Sequence, residues 1–179
     1  MATPPPSLKA RALQWLAQRE QSRSELRRKL LALARRRAAI ASETVAHEGP
    51  GETAPTQAAA DPAAEVDALL DWLAAHRHLS DERFVESRVH ARAARYGNLR
   101  IRQELAQHGA AIDAATAEQL KSSETARAHA VWARKFGGEL ASDAAGRLRQ
   151  MRFLAGRGFS ADVIRRVIKG DDDEADERS

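Results

Sequence analysis

Apolar residues recur every three or four positions through most of this chain, the spacing of a buried helix face. In "SLKARALQWLAQRE" Leu8, Ala12, Trp15 and Leu16 fall on one side, and Ser7 stands where an N-cap belongs. "SRSELRRKL" opens a second helix: Ser22 and Glu25 have capping-box spacing, and Leu26, Leu30 and Leu33 form its inner stripe. This helix is predicted to run to about Arg37. Asp61-Pro62 has the cap-then-proline order of a helix start, and Val66, Leu69, Leu70 and Leu73 follow as a stripe. Ser80 caps a fourth helix with acids in its first turn and Phe84, Val85, Val89, Ala93 and Tyr96 inside. Gly97 is expected to close it, and Asn98 to cap a fifth helix that stops at Gly109. "AIDAATAEQL" predicts a short sixth helix and "SSETARAHAVWARKFGG" a separate seventh. "SDAAGRLRQMRFLAGRG" and "FSADVIRRVIKG", the latter capped by Ser160, complete nine. No alternating β-branched or aromatic run marks a strand, so the fold class is all-α.

Nine helices divide into threes, and the middle helix of each group aligns with the others. "SRSELRRKL", "GNLRIRQEL" and "GRLRQMRFL" bring Leu30, Leu105 and Leu154 into register, with basic residues around each. The helices that follow align Asp67, Asp113 and Asp162. The first group is 29 residues longer between these marks than its spacing to the second would require. The excess falls in "ETVAHEGPGETAPTQAAADP", a Gly, Pro and Ala mixture without period, read as a flexible, disordered insertion over about residues 38–64. The expected organisation is a disordered tail over 1–7, three-helix repeats over 8–79, 80–121 and 122–170, and an acidic tail over 171–179. One such unit buries little core, so stacked units forming an elongated, curved array are expected.

Charge sharpens the picture. The net charge is +4, but residues 171–179 hold six acids and one base, and without them 28 Lys and Arg face 19 Asp and Glu, or +9. A basic body suits a polyanion or an acidic protein surface; it also serves plain solubility. The absence of cysteine excludes disulfides, Cys-ligated zinc and a Cys nucleophile. The N-terminus lacks a signal-peptide core and no run reaches a membrane span, so a soluble cytoplasmic protein is expected, with no membrane contact.

The ordered segments "ALQWLAQREQSRSELRRKL", "VDALLDWL", "LSDERFVESRV", "YGNLRIRQELAQHG" and "RQMRFLAGRGFSADVIRRVI" resemble the RecX family, bacterial regulators of the recombinase RecA. The resemblance implies tandem three-helix repeats, binding to the RecA–DNA filament, and inhibition of strand exchange, ATP hydrolysis and co-protease activity. It also implies weak, non-specific binding to single- and double-stranded DNA. The insertion departs from the family pattern, and the acidic tail lies outside its motifs.

The candidate contacts are Arg23, Arg27, Arg28 and Lys29 in the first repeat, Arg100 and Arg102 in the second, and Arg149, Arg152, Arg157, Arg165 and Arg166 in the third. Their role would be charge-assisted contact with phosphates and acidic groups; each also reads as a solvated helix face. "ARRRA" at 34–38 is either a nucleic-acid patch or a cationic helix end favoured by the dipole. Trp15, Trp72 and Trp132 stand beside apolar stripes, where packing is the stronger reading than base stacking. "GRGF" at 156–159 reads as a glycine turn between helices, not a phosphate cradle. His47, His76, His78, His90, His108 and His129 show no ligand spacing, and neither a P-loop nor a nucleophile with a base is present. A monomeric, non-enzymatic protein without metal or cofactor is expected. The alternative is a helix-turn-helix DNA-binding regulator, for which no helix groups base-reading Asn or Gln with Arg.

Overall fold

The structure, a computed structural model, describes residues 6–47 and 61–169. Among these residues there are eight helices and no strand, and the chain divides into compact units at residues 1–84 and 85–179.

The first unit holds α1 (Leu8–Gln18), α2 (Arg23–His47) and α3 (Pro62–Ala75). The predicted caps form: Ser7 Oγ accepts from the Ala10 amide at 3.1 Å, Ser22 Oγ from Glu25 at 3.1 Å, and Asp61 from Ala63 at 2.9 Å. The stripes converge as Leu8, Ala12, Leu26, Leu30, Val66, Leu70 and Leu73, all buried, with Trp15 and Trp72 packed against them. A fully buried Leu of this kind contributes about 2 kcal/mol. The second helix does not end near Arg37 but continues to His47. Residues 38–47, "AAIASETVAH", contain no helix breaker, and the first comes at Gly49-Pro50. The predicted insertion therefore begins inside α2, and its residues 48–60 lie outside the described residues, as do most of the N-terminal tail and the acidic tail.

α4 (Asp81–Ala93) starts in the first unit, with Ser80 Oγ accepting from the Arg83 amide at 3.1 Å, and leads into the second. That unit adds α5 (Asn98–Gln107), α6 (Ala114–Phe136), α7 (Ala144–Gly156) and α8 (Ala161–Lys169). Ala128, Val131, Trp132, Leu154, Phe159, Val163, Ile164, Val167 and Ile168 are buried together. The three aligned leucines, Leu30, Leu105 and Leu154, are each at most 1% exposed, so the register of the repeat marks equivalent core positions. The aligned aspartates are not equivalent. Asp67 meets Arg27, Asp113 caps α6 through the Thr116 amide, and Asp162 pairs with Arg165.

Two expectations fail here. The sixth and seventh helices are one continuous α6. Ser122 and Ser123, which read as a helix start, turn their hydroxyls back onto the Gln119 carbonyl at 3.1 and 2.7 Å, and no Gly or Pro interrupts the run. The expected boundary between repeats at residues 121 and 122 thus lies inside a helix. Gly97 is not the cap that ends α4, and Asn98 is not the cap of α5: Gly97 is itself the N-cap of α5, without a side-chain bond, and Asn98 is the first helical residue.

The reason is a close backbone contact. The Gly97 amide donates to the Arg157 carbonyl at 3.0 Å, and the Leu99 amide to the Gly158 carbonyl at 3.1 Å. The Asn98 amide, between them, donates to Glu124 Oε1 at 2.9 Å. The first amides of a helix have no intrahelical acceptor, and here the α7–α8 turn and one carboxylate supply all three. A Cβ on Gly97 would lie 2.2 Å from the Gly158 oxygen, and Gly158 has φ +82 with its own space closed by Arg100.

Gly97→Ala should therefore lower the unfolding free energy of the full chain by about 2–3 kcal/mol, read from urea denaturation. Gly156→Ala, at a helical position with nothing near the added carbon, should be neutral or slightly stabilising. Equal midpoints for the two variants would contradict the close approach.

Candidate nucleic-acid interface

The basic residues of the first unit are mostly engaged within it. Arg27 forms a two-point pair with Asp67, Nε to Oδ1 at 2.6 Å and Nη2 to Oδ2 at 2.8 Å. Hydrogen bonding and charge lower the Asp67 pKa and raise that of Arg27. Arg23 reaches Asp71 at 2.6 Å. Lys29 bonds Glu25 at 2.9 Å and Gln21 at 2.8 Å, and Arg19 also pairs with Glu25. Burial opposes ionisation of the Glu25 carboxyl, but hydrogen bonds from Arg19 and Lys29 outweigh it and hold the group at about 2. Arg28 alone of the four predicted contacts here is exposed and without an ion pair among the described residues. In "ARRRA", Ala34 is buried, Arg35 and Arg36 are exposed, and Arg37 donates to the Pro6 carbonyl. Because α2 runs on to His47, these cations are not a helix end, and the dipole reading fails for them.

The second unit distributes its charge differently. Arg88 and Arg92 share Glu104 at 3.1 and 3.0 Å, and Arg165 pairs with Asp162. Arg102, Arg149, Arg152 and Arg166 are exposed and carry no ion pair among the described residues. Arg100 and Arg157 stand over the Tyr96 ring at 4.5 and 5.6 Å, and Arg157 also lies 5.1 Å from the Phe153 centroid. A recess of about 150 Å³ opens beside them, lined by Arg95, Val131, Arg134, Lys135, Phe153 and Arg157. It holds four cations and no acid. Arg95, Arg134 and Lys135 were not among the predicted contacts. The signal available was a pair of acid-free runs, residues 125–138 and 144–161, which the fold brings to the same recess.

A buried polar cluster that periodicity does not reveal joins the start of α5 to α6. Asn98 and Glu124 are each 6% exposed. Asn98 Nδ2 donates to Glu124 Oε2 at 3.0 Å and to the Leu120 carbonyl at 3.1 Å. Arg127 donates to Asn98 Oδ1 at 2.6 Å and to the carbonyls of Ala93, Tyr96 and Leu120 at 3.2, 2.9 and 2.9 Å. Burial lowers the Arg127 pKa, and the charge of Glu124 opposes that shift. The cluster ties the α4–α5 turn, which carries Arg95 and Tyr96, to α6. The tryptophans pack: Trp132 is 5% exposed in the core, and Trp72 is covered by Lys9 at 3.4 Å and His76 at 4.0 Å. Among the described residues no helix is long and apolar enough to cross a membrane.

These features define an all-helical protein of three-helix units with a cationic, acid-free recess. Comparison with known proteins agrees. The family models for the second and third three-helix domains of RecX match residues 80–119 and 122–168. The curated Regulatory protein RecX of Ralstonia nicotianae is 46% identical over 99% of both chains. That of Herminiimonas arsenicoxydans is 42% identical over 95% of this chain and 96% of its own. The crystal structure of RecX from Lactobacillus salivarius has the same fold, with a TM-score of 0.60, 18% identity, and 90% and 92% of the chains covered. The chain belongs to the RecX family of regulatory proteins.

Two outcomes follow for the first unit. The folded Glu25 pKa lies below its ordinary 4.5, so its contribution is complete above that pH and disappears as pH falls toward 2. With Arg19 and Lys29 partly open to solvent, the loss is about 2 kcal/mol. Acid titration of urea stability should show it, and Glu25→Gln should flatten that limb; parallel curves would contradict it. Charge reversal of Arg27 should lower the thermal midpoint, because it sets a second carboxylate against Asp67. An unchanged midpoint for Arg27→Glu would place that pair outside the stabilising contacts.

Proposed function

We propose that this chain binds the RecA recombinase filament on DNA and lowers its strand-exchange, ATPase and co-protease activities, thereby modulating recombination and repair. The observation that carries this reading is the near full-length similarity to Regulatory protein RecX, including both matched three-helix domains. The chain acts by binding, as a monomer in the cytoplasm, without a cofactor or a reaction of its own. A filament offers phosphates and acidic protein groups together, the chemistry that unpaired guanidinium groups recognise. Exposed Arg28, Arg102, Arg149, Arg152 and Arg166, with ring-supported Arg100 and Arg157, supply the contacts. Arg23, Arg27, Lys29 and Arg165 serve mainly as internal ion pairs in the free protein and exchange partners if they contribute.

The test follows recombinase ATPase and strand exchange on single-stranded DNA with the full chain added. Inhibition at substoichiometric amounts is expected. No inhibition, together with tight sequence-specific binding to a duplex, would replace this reading with a helix-turn-helix regulator.

A further inference from the structure

A larger opening of the second unit lies where α8 ends. It is a groove of about 730 Å³ between α6, the α6–α7 connection and α8. Arg166, Lys169 and His129 line it, and no acid does. Trp132 and Leu140 add apolar wall, and Leu140 is 43% exposed. Neighbouring Arg165 has its acid in Asp162, whereas Arg166 and Lys169 are exposed and carry no ion pair among the described residues. The chain leaves α8 at Lys169, itself part of the wall, and residues 171–179 hold six acids and one base. The carbonyl end of a helix carries partial negative charge. Asp171, Asp172 and Asp173, directly after α8, are therefore repelled by that end and by one another unless cations take them up.

We propose that residues 170–179 turn back along α8 and occupy this groove, with the carboxylates of Asp171, Asp172 and Asp173 on Arg166 and Lys169. Gly170 suits the turn, because glycine takes the left-handed backbone that reverses a chain at a helix end. Reach does not limit it: ten residues extend to about 33 Å, and α8 is about 13 Å long. The groove has room for roughly two dozen waters, enough for several side chains. An acidic segment of another molecule would meet the same cations. The chain's own tail is tethered at the rim, which gives it an effective concentration on the order of millimolar. The contact is autoinhibitory: in the free protein it withdraws Arg166 from the contacts proposed above. The docking itself does not rest on that reading, and its test needs neither recombinase nor nucleic acid.

The experiment is nitrogen-15 relaxation of the full chain at low salt. Backbone order parameters of residues 171–174 should exceed about 0.7, against values below about 0.6 for a free tail. Arg166→Gln/Lys169→Gln should bring them below about 0.6 and shift the Trp132 indole signal. Asp171→Asn/Asp172→Asn/Asp173→Asn should do the same, and these positions lie beyond the packed helices, so the fold remains. Arg35→Gln/Arg36→Gln, an equal loss of charge at exposed positions of the first unit, should change neither reading. Free-tail order parameters in the unmodified chain, or values that either charge variant at the groove or tail leaves unchanged, would overturn the proposal. So would order that rises with protein concentration, which would put the tail of a second copy in the groove.

Discussion

Three consecutive backbone amides at the start of α5 need acceptors that their own helix cannot give. In the second unit the carbonyls of Arg157 and Gly158 and the carboxylate of Glu124 provide them. Much else follows from this arrangement. Residue 97 must lack a Cβ, because the opposing turn touches it, and Gly158 must hold a left-handed backbone against Arg100. Glu124 must be buried, where Asn98 donates to its carboxyl group and Arg127 in turn donates to Asn98 Oδ1. Arg127 in turn fastens the carbonyls of the α4–α5 turn. Arg95 and Arg157, two of the cations lining the basic recess, therefore stand on or beside backbone fixed by these bonds.

The two units treat similar sequence in different ways. Each offers an Arg-rich helix with a buried leucine in the same register, Leu30 in one and Leu105 and Leu154 in the other. In the first, Asp67, Asp71 and Glu25 take up the cations, and the charge stabilises the fold. In the second, α7 has no acid: Arg149 and Arg152 stay open, Arg147 donates to the Ala141 and Ser142 carbonyls, and Arg157, just past the helix, rests on aromatic rings. Surface pairs of the first kind are worth little singly, whereas unpaired cations remain free to meet a polyanion.

Periodicity and capping made most helices legible. Ser7, Ser22, Asp61 and Ser80 cap as their spacing implies, because a cap is a local device that needs only three or four neighbouring residues. Where a residue's role is set by distant partners, local reading fails. Ser122 and Ser123 resemble a helix start but lie inside α6, and Asn98 resembles a cap but belongs to a buried cluster with residues 26 and 29 positions away. The same holds for the arginines: Arg27 and Arg102 are alike in sequence, and only the placement of Asp67 separates an internal ion pair from an open cation. Arg95, Arg134 and Lys135 escaped notice because none forms a local motif.

The most direct test of this account is amide hydrogen exchange at Gly97, Asn98 and Leu99 in the unmodified chain. Helix-start amides without acceptors exchange quickly, at rates set by local fraying. Here all three should be protected to the level of buried Leu105 and Ala128, since opening them requires separating α5 from the α7–α8 turn. Rapid exchange at these positions, with the rest of α5 protected, would contradict it.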